Sequence, residues 1–81
     1  MTKTQELANI IKDIKSKKNL EKFLVGILTP AEIEQIAMRI EVVKALKAGI
    51  PQRSIVKNLG VGMATVTRGS KMLKDGFFKN V

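Results

Sequence analysis

The sequence predicts an all-α fold: one small helical domain whose last two helices form a helix-turn-helix. Three observations predict it. Apolar residues recur at helical spacing along most of the 81 residues, no stretch alternates apolar and polar residues with period two, and helix start and stop signals bracket the apolar stripes.

The first helix, roughly Lys3 to Lys17, carries Leu7, Ile10, Ile11 and Ile14 on one stripe, with lysines crowding its end where they suit the helix dipole. A second stripe follows with Leu20, Phe23, Leu24, Ile27 and Leu28, for which Asn19 is the expected cap and which Gly26 interrupts. Residues 1–28 are thus two N-terminal helices, expected to serve dimerisation. "TPAE", Thr29 to Glu32, is the sharpest boundary: a capping threonine, a proline suited to the first helical position, and a glutamate three residues after the cap. The long central helix it opens, 30–48, holds Ile33, Ile36, Ala37, Ile40, Val43 and Leu46 in period until Gly49 closes it. That stripe suits a dimer core as readily as a monomer core.

Residues 51–74 carry the helix-turn-helix. Pro51 opens a short helix with Ile55, Val56 and Leu59 apolar, Gly60 stops it, and a further helix runs from about Met63 to Lys74 with Val66 and Leu73 inward. The closing "DGFFKNV" begins with a stop signal, and Phe77-Phe78 are expected to pack back or onto a partner.

A chain this short buries only about 60% of its unfolded surface, so a second copy would help stabilise it. It contains neither cysteine nor histidine, which removes disulfides, thiol nucleophiles, the usual zinc ligands and the commonest general base. No catalytic residue, metal ligand or cofactor is expected, and the protein is read as no enzyme. The longest near-apolar run, "FLVGIL", is far shorter than the roughly 20 residues of a membrane span. A cytoplasmic, bacterial protein is expected, with no membrane partner.

The charge is uneven. The net +8 comes almost wholly from Lys44 onward, where Lys44, Lys47, Arg53, Lys57, Arg68, Lys71, Lys74 and Lys79 face a single acid, Asp75. Such an excess points to a polyanion. In the helix-turn-helix layout the second helix enters the DNA major groove. Gly60 suits the turn, and Ile55, Leu59, Val61 and Val66 take inward sites. Met63, Ala64, Thr67 and Lys71 then share an outward side, where Ala64 and the Thr67 methyl suit thymine methyls and the Thr67 hydroxyl a base edge. The free amides behind "GVG", Gly60 to Gly62, favour a phosphate, and Arg53, Lys57 and Lys74 are phosphate-neutralising candidates. Thr65, Arg68 and Met72 fall on a third side, where the arginine suits a carboxylate, a phosphate or an acidic side chain, or pairs with DNA. Sequence physics leaves those options open.

"LGVGMATVTRGSKMLK", Leu59 to Lys74, with "LTPAE", Leu28 to Glu32, and Arg39, resembles the bacterial tryptophan repressor family over more than half the chain. The resemblance implies an all-helical intertwined homodimer that presents two helix-turn-helix units to palindromic double-stranded operator DNA, with L-tryptophan as corepressor. It implies that Arg39 and Arg68 sandwich the indole and that Arg68 holds the ligand carboxylate, both tasks for arginine rather than lysine. Thr65 and Gly69 would line the pocket, Leu28 and Thr29 of the partner subunit would close it, and Arg53, Met63, Ala64 and Thr67 would match DNA-reading positions. Gly62 and Met72 complete the two candidate sets, for DNA and ligand respectively.

The chain departs from the family's pattern at several places. Met72 stands where the family usually has a small hydroxyl residue near the ligand amino group, and Gly26 where it tends to carry a bulky apolar one. The chain is one residue shorter around "GIPQ", and the C-terminal helix of longer members does not follow the motif. Two alternatives therefore stay beside the tryptophan-responsive repressor: a helix-turn-helix regulator of the same kind that binds DNA without responding to tryptophan, and a basic helical interaction module for RNA, membrane or acidic protein.

Overall fold

The computed structural model describes all residues, Met1–Val81, and contains five helices and no strand: α1 (Lys3–Asp13), α2 (Lys17–Ile27), α3 (Pro30–Lys47), α4 (Gln52–Leu59) and α5 (Met63–Lys74). The fold class is the all-α one that the stripes predict. The chain divides into two compact units, Met1–Ile33 and Glu34–Val81.

In the first unit, α1 opens on a capping box that the sequence analysis passed over. Thr2 Oγ1 accepts the Gln5 N–H at 3.1 Å, and the Thr2 N–H donates to Gln5 Oε1 at 2.8 Å. The helix ends at Asp13, short of the expected Lys17, because Ser16 starts the next helix. Ser16 rather than Asn19 is the cap: its Oγ accepts the Asn19 N–H at 3.0 Å, which makes Asn19 the third helical residue. Neither α1 nor α2 fully buries a side chain, and Leu7, Ile10, Ile11, Leu24, Val25 and Ile27 stay exposed. Gly26 has open space where a Cβ would stand.

The start of α3 is the expected capping box. Glu32 N–H donates to Thr29 Oγ1 at 3.2 Å, and Thr29 N–H donates to Glu32 Oε1 at 2.9 Å. The Thr29 backbone donor, and then its hydroxyl, hold the Glu32 carboxyl below its ordinary pKa of 4.5.

In the second unit, α3 ends at Lys47 and is closed by Gly49, whose φ of 79° is the left-handed conformation that a closing glycine supplies. Gly49 N–H donates to the Leu46 carbonyl and Ile50 N–H to that of Ala45, which satisfies two orphan acceptors of the last turn. Pro51 is the cap of α4, and α4 stops at Gly60, with φ 66°. The core lies where α3, α4 and α5 meet: Val42, Ile55 and Val66 are fully buried, with Ala45, Leu46, Val56, Leu59 and Val61 packed around them. The inward positions read for the helix-turn-helix, Ile55, Leu59, Val61 and Val66, all belong to this cluster.

The α3 stripe needs correction. Val42 is buried although the stripe omits it, while Ile36, Ala37 and Ile40 are exposed in the chain. Apolar residues surround α3, so no single stripe describes its contacts. Val42, Ala45 and Leu46, at i, i+3 and i+4, face the core; Ile36, Ile40 and Val43, at i, i+4 and i+7, line the cavity described next.

Candidate ligand pocket and nucleic-acid interface

Helix α5 is placed by one wholly buried side chain, Val66, and by the left-handed turn at Gly60 behind α4. With Val66 inward, helical geometry distributes the other residues by face. Met63, Ala64, Thr67 and Lys71 are exposed, whereas Thr65, Gly69 and Met72 are half-buried. Arg53, Lys57 and Lys74 are exposed as well. Gly62 caps α5 without a side-chain hydrogen bond, so the first amides of the helix keep donor capacity for an anion.

The positive charge around these residues is nearly unopposed. The single ion pair is Lys44 with Glu41 at 3.8 Å, and its side chains are 60% and 57% exposed, so it holds little. No other cation from Lys44 onward has an aspartate or glutamate partner.

Behind the outward face of α5 lies a cavity of about 530 Å³ between α3 and α5. Arg39, Thr65, Arg68, Gly69 and Met72 line it, five of the seven residues expected to hold a ligand. The other two, Leu28 and Thr29, are expected from the partner subunit; in the chain itself they belong to the first unit. Ala64, expected on the DNA side, reaches the cavity rim while remaining exposed. A Cβ added at Gly69 would stand 3.4 Å from both Leu46 Cδ1 and Val42 Cγ1, so the close approach of α3 to α5 also uses this glycine.

Chemically, the cavity has two guanidinium groups and a threonine hydroxyl set among aliphatic side chains and one phenyl ring. That combination suits a small carboxylate with a large apolar part. The sequence analysis missed six contributors: Ile36, Ile40 and Val43, which it assigned to a core stripe, Val42, which that stripe omitted, and Phe78 and Val81 beyond α5. The signal for the last two was the Asp75-Gly76 stop ahead of an apolar pair. A helix that ends on a left-handed glycine commonly brings the next apolar residues back against itself. No group of acidic, histidine or cysteine side chains could hold a metal ion, and no helix is long and apolar enough to cross a membrane.

Comparison with known proteins gives one family. The model of the Trp repressor protein family matches residues 2–78, which covers all five helices. Similar proteins bear the name Trp operon repressor homolog. That of Vibrio vulnificus strain YJ016 is 38% identical over 74 residues, 90% of this chain and 72% of the relative. That of Vibrio cholerae El Tor Inaba N16961 is 38% identical over 72 residues, 88% and 70% of the two chains. That of Actinobacillus succinogenes is 44% identical over 55 residues, 67% of this chain and 54% of the relative. No solved structure matches the chain significantly.

Proposed function

The chain belongs to the Trp repressor protein family, and from that premise we propose that it is a sequence-specific DNA-binding repressor, acting as a homodimer on operator DNA with L-tryptophan as corepressor. The observation that carries the proposal is the single cavity holding Arg39, Arg68 and Thr65 directly behind the exposed side of α5. Ligand and DNA would thus be served by two sides of one helix.

The mechanism follows from that arrangement. The indole lies between the two guanidinium planes, and Arg68 takes the carboxylate with a fork of parallel donors. A ligand wedged between α3 and α5 fixes the tilt of α5. It favours DNA binding only if it binds the DNA-competent tilt more tightly than the others. In a two-fold dimer, half-sites then lie about 34 to 36 Å apart, one helical turn of DNA. The exposed apolar residues of α1 and α2 support dimerisation, since a lone chain leaves Leu7, Ile10, Ile11 and Ile27 to water.

L-tryptophan binding is directly visible, because the protein contains neither Trp nor Tyr and added L-tryptophan is the sole indole. Its emission anisotropy should rise on titration with protein, and operator affinity should rise with ligand. A flat titration together with unchanged operator affinity would remove the corepressor role. One observation favours a second reading, DNA binding without a tryptophan response. Met72 lines the cavity with a flexible apolar chain at the place where the family resemblance leads one to expect a hydroxyl.

A further inference from the structure

We infer that the segment following α5 is the specificity wall of the pocket: Phe78 and Val81 form a side that neither α3 nor α5 supplies, and they rank the apolar parts of competing ligands. This rests on the cavity being the ligand pocket proposed above.

Three observations support it. Both residues line the cavity, and Phe78 contributes its sole aromatic ring, beside Ile36, Ile40 and Met72. The return of the chain is built in: Gly76 takes φ 86°, its N–H donates to the Leu73 carbonyl at 3.1 Å, and the Phe77 N–H donates to that of Met72 at 3.1 Å. This turn separates two adjacent phenylalanines, leaving Phe77 exposed and Phe78 half-buried against the cavity. The far end is held as well, since Lys47 at the end of α3 donates from Nζ to the Val81 carbonyl oxygen at 2.6 Å. The segment is a strap tied to α5 by the Met72 carbonyl and to α3 by Lys47.

Its size identifies it as a wall rather than a plug. With the strap in place the cavity still measures about 530 Å³, within the range of about 300–1,000 Å³ common for small-molecule sites. Arg68 grips the carboxylate, which is the same for every amino acid, and the stacking of Arg39 and Arg68 is the same for every indole. Discrimination among ligands that share the indole falls to the apolar lining, where a ring face is the strongest single contributor.

The test is a pair of titrations with L-tryptophan and 5-methyl-L-tryptophan, each followed by indole emission, on the wild type, Phe78→Ala, Phe78→Leu and Lys47→Met. Truncating the ring removes contact area and opens room, so Phe78→Ala should bind L-tryptophan about tenfold more weakly. The affinity ratio should shift toward the bulkier 5-methyl ligand, with Phe78→Leu intermediate. Lys47→Met, an exposed change, should shift the ratio in the same direction to a smaller extent. A merely structural role weakens both ligands alike, so an unchanged ratio overturns the inference while leaving the pocket in place. If Phe78→Ala fails to fold, the Lys47→Met ratio decides by the same criterion. If the wild type binds neither ligand, the pocket assignment fails and the inference goes with it.

Discussion

Arg39 of α3 and Arg68 of α5 open onto one cavity, and neither guanidinium has a carboxylate of the chain within salt-bridge distance. Two cations beside one apolar space repel each other until an anion arrives, so the pair favours a ligand that carries its own negative charge.

Arg68→Lys should therefore weaken ligand-dependent operator binding far more than Lys71→Arg does. Lysine keeps the charge at position 68 but loses the planar fork and the stacking surface. Loss of one charge-assisted bond of a bidentate pair corresponds to roughly 1.5–3 kcal/mol, or about ten- to a hundredfold in ligand affinity. Lys71 is exposed on the outward side of α5 and does not line the cavity, so its change should leave L-tryptophan affinity alone. Equal effects in the two titrations would speak against a bidentate clasp at position 68.

On the outward side, Thr67→Ala and Lys57→Ala should fail differently. Thr67 is a candidate base contact, so its loss should change operator preference at one position by about 1–3 kcal/mol. Lys57 is a candidate phosphate contact, so its loss should weaken all sequences alike and reduce the slope of log affinity against log salt by about one. Binding isotherms on matched and mismatched operators at several salt concentrations separate the two. Uniform weakening by both variants would favour a non-specific basic surface.

Legibility in the sequence followed the strength of local signals. The α3 start could be read from Thr29-Pro30-Ala31-Glu32 because a capping box is complete within four residues, and the turn at Gly60 because a left-handed residue has few alternatives to glycine. The core seats of Ile55, Leu59, Val61 and Val66 followed from that turn. The start of α2 was misread because serine and asparagine are both good caps three residues apart, and only the observed bond shows that Ser16 accepts from Asn19. Val42 was missed because a helix apolar on several sides has no unique phase. Of the cavity, helical spacing put Thr65, Arg68 and Met72 on one side and the family resemblance added Arg39 and Gly69, whereas Phe78 and Val81 enter through a chain reversal whose destination no periodicity encodes.

Glycine substitutions should act with opposite signs at two positions that are equally open. No atom lies within 4 Å of a Cβ added at Gly60 or at Gly26. Gly60 has φ 66°, so Gly60→Ala should destabilise the protein by about 1–2 kcal/mol through backbone strain alone. Gly26 sits inside α2 with ordinary helical geometry, so Gly26→Ala should stabilise it by roughly 0.5–1 kcal/mol. Denaturant midpoints at equal protein concentration, which holds any self-association fixed, provide the comparison. A stabilising Gly60→Ala would refute the assigned turn.

Glu32 should give the first turn of α3 a dependence on acid. Its carboxyl is held below 4.5 by the Thr29 backbone donor and then by the Thr29 hydroxyl contact, so the folded form binds its proton less readily than the unfolded form. The stabilisation this produces is fully present above the ordinary carboxylate pKa and is lost as pH falls through the lowered folded value. Glu32→Gln keeps an oxygen that can accept the Thr29 N–H but has no titrating proton. Thermal midpoints of wild type and Glu32→Gln should therefore differ most near neutral pH and converge as pH falls through the lowered folded value, because protonated Glu32 and glutamine then present the same neutral acceptor. A difference that stays constant, or widens, toward low pH would show that Glu32 acts on stability through something other than its charged bond to Thr29.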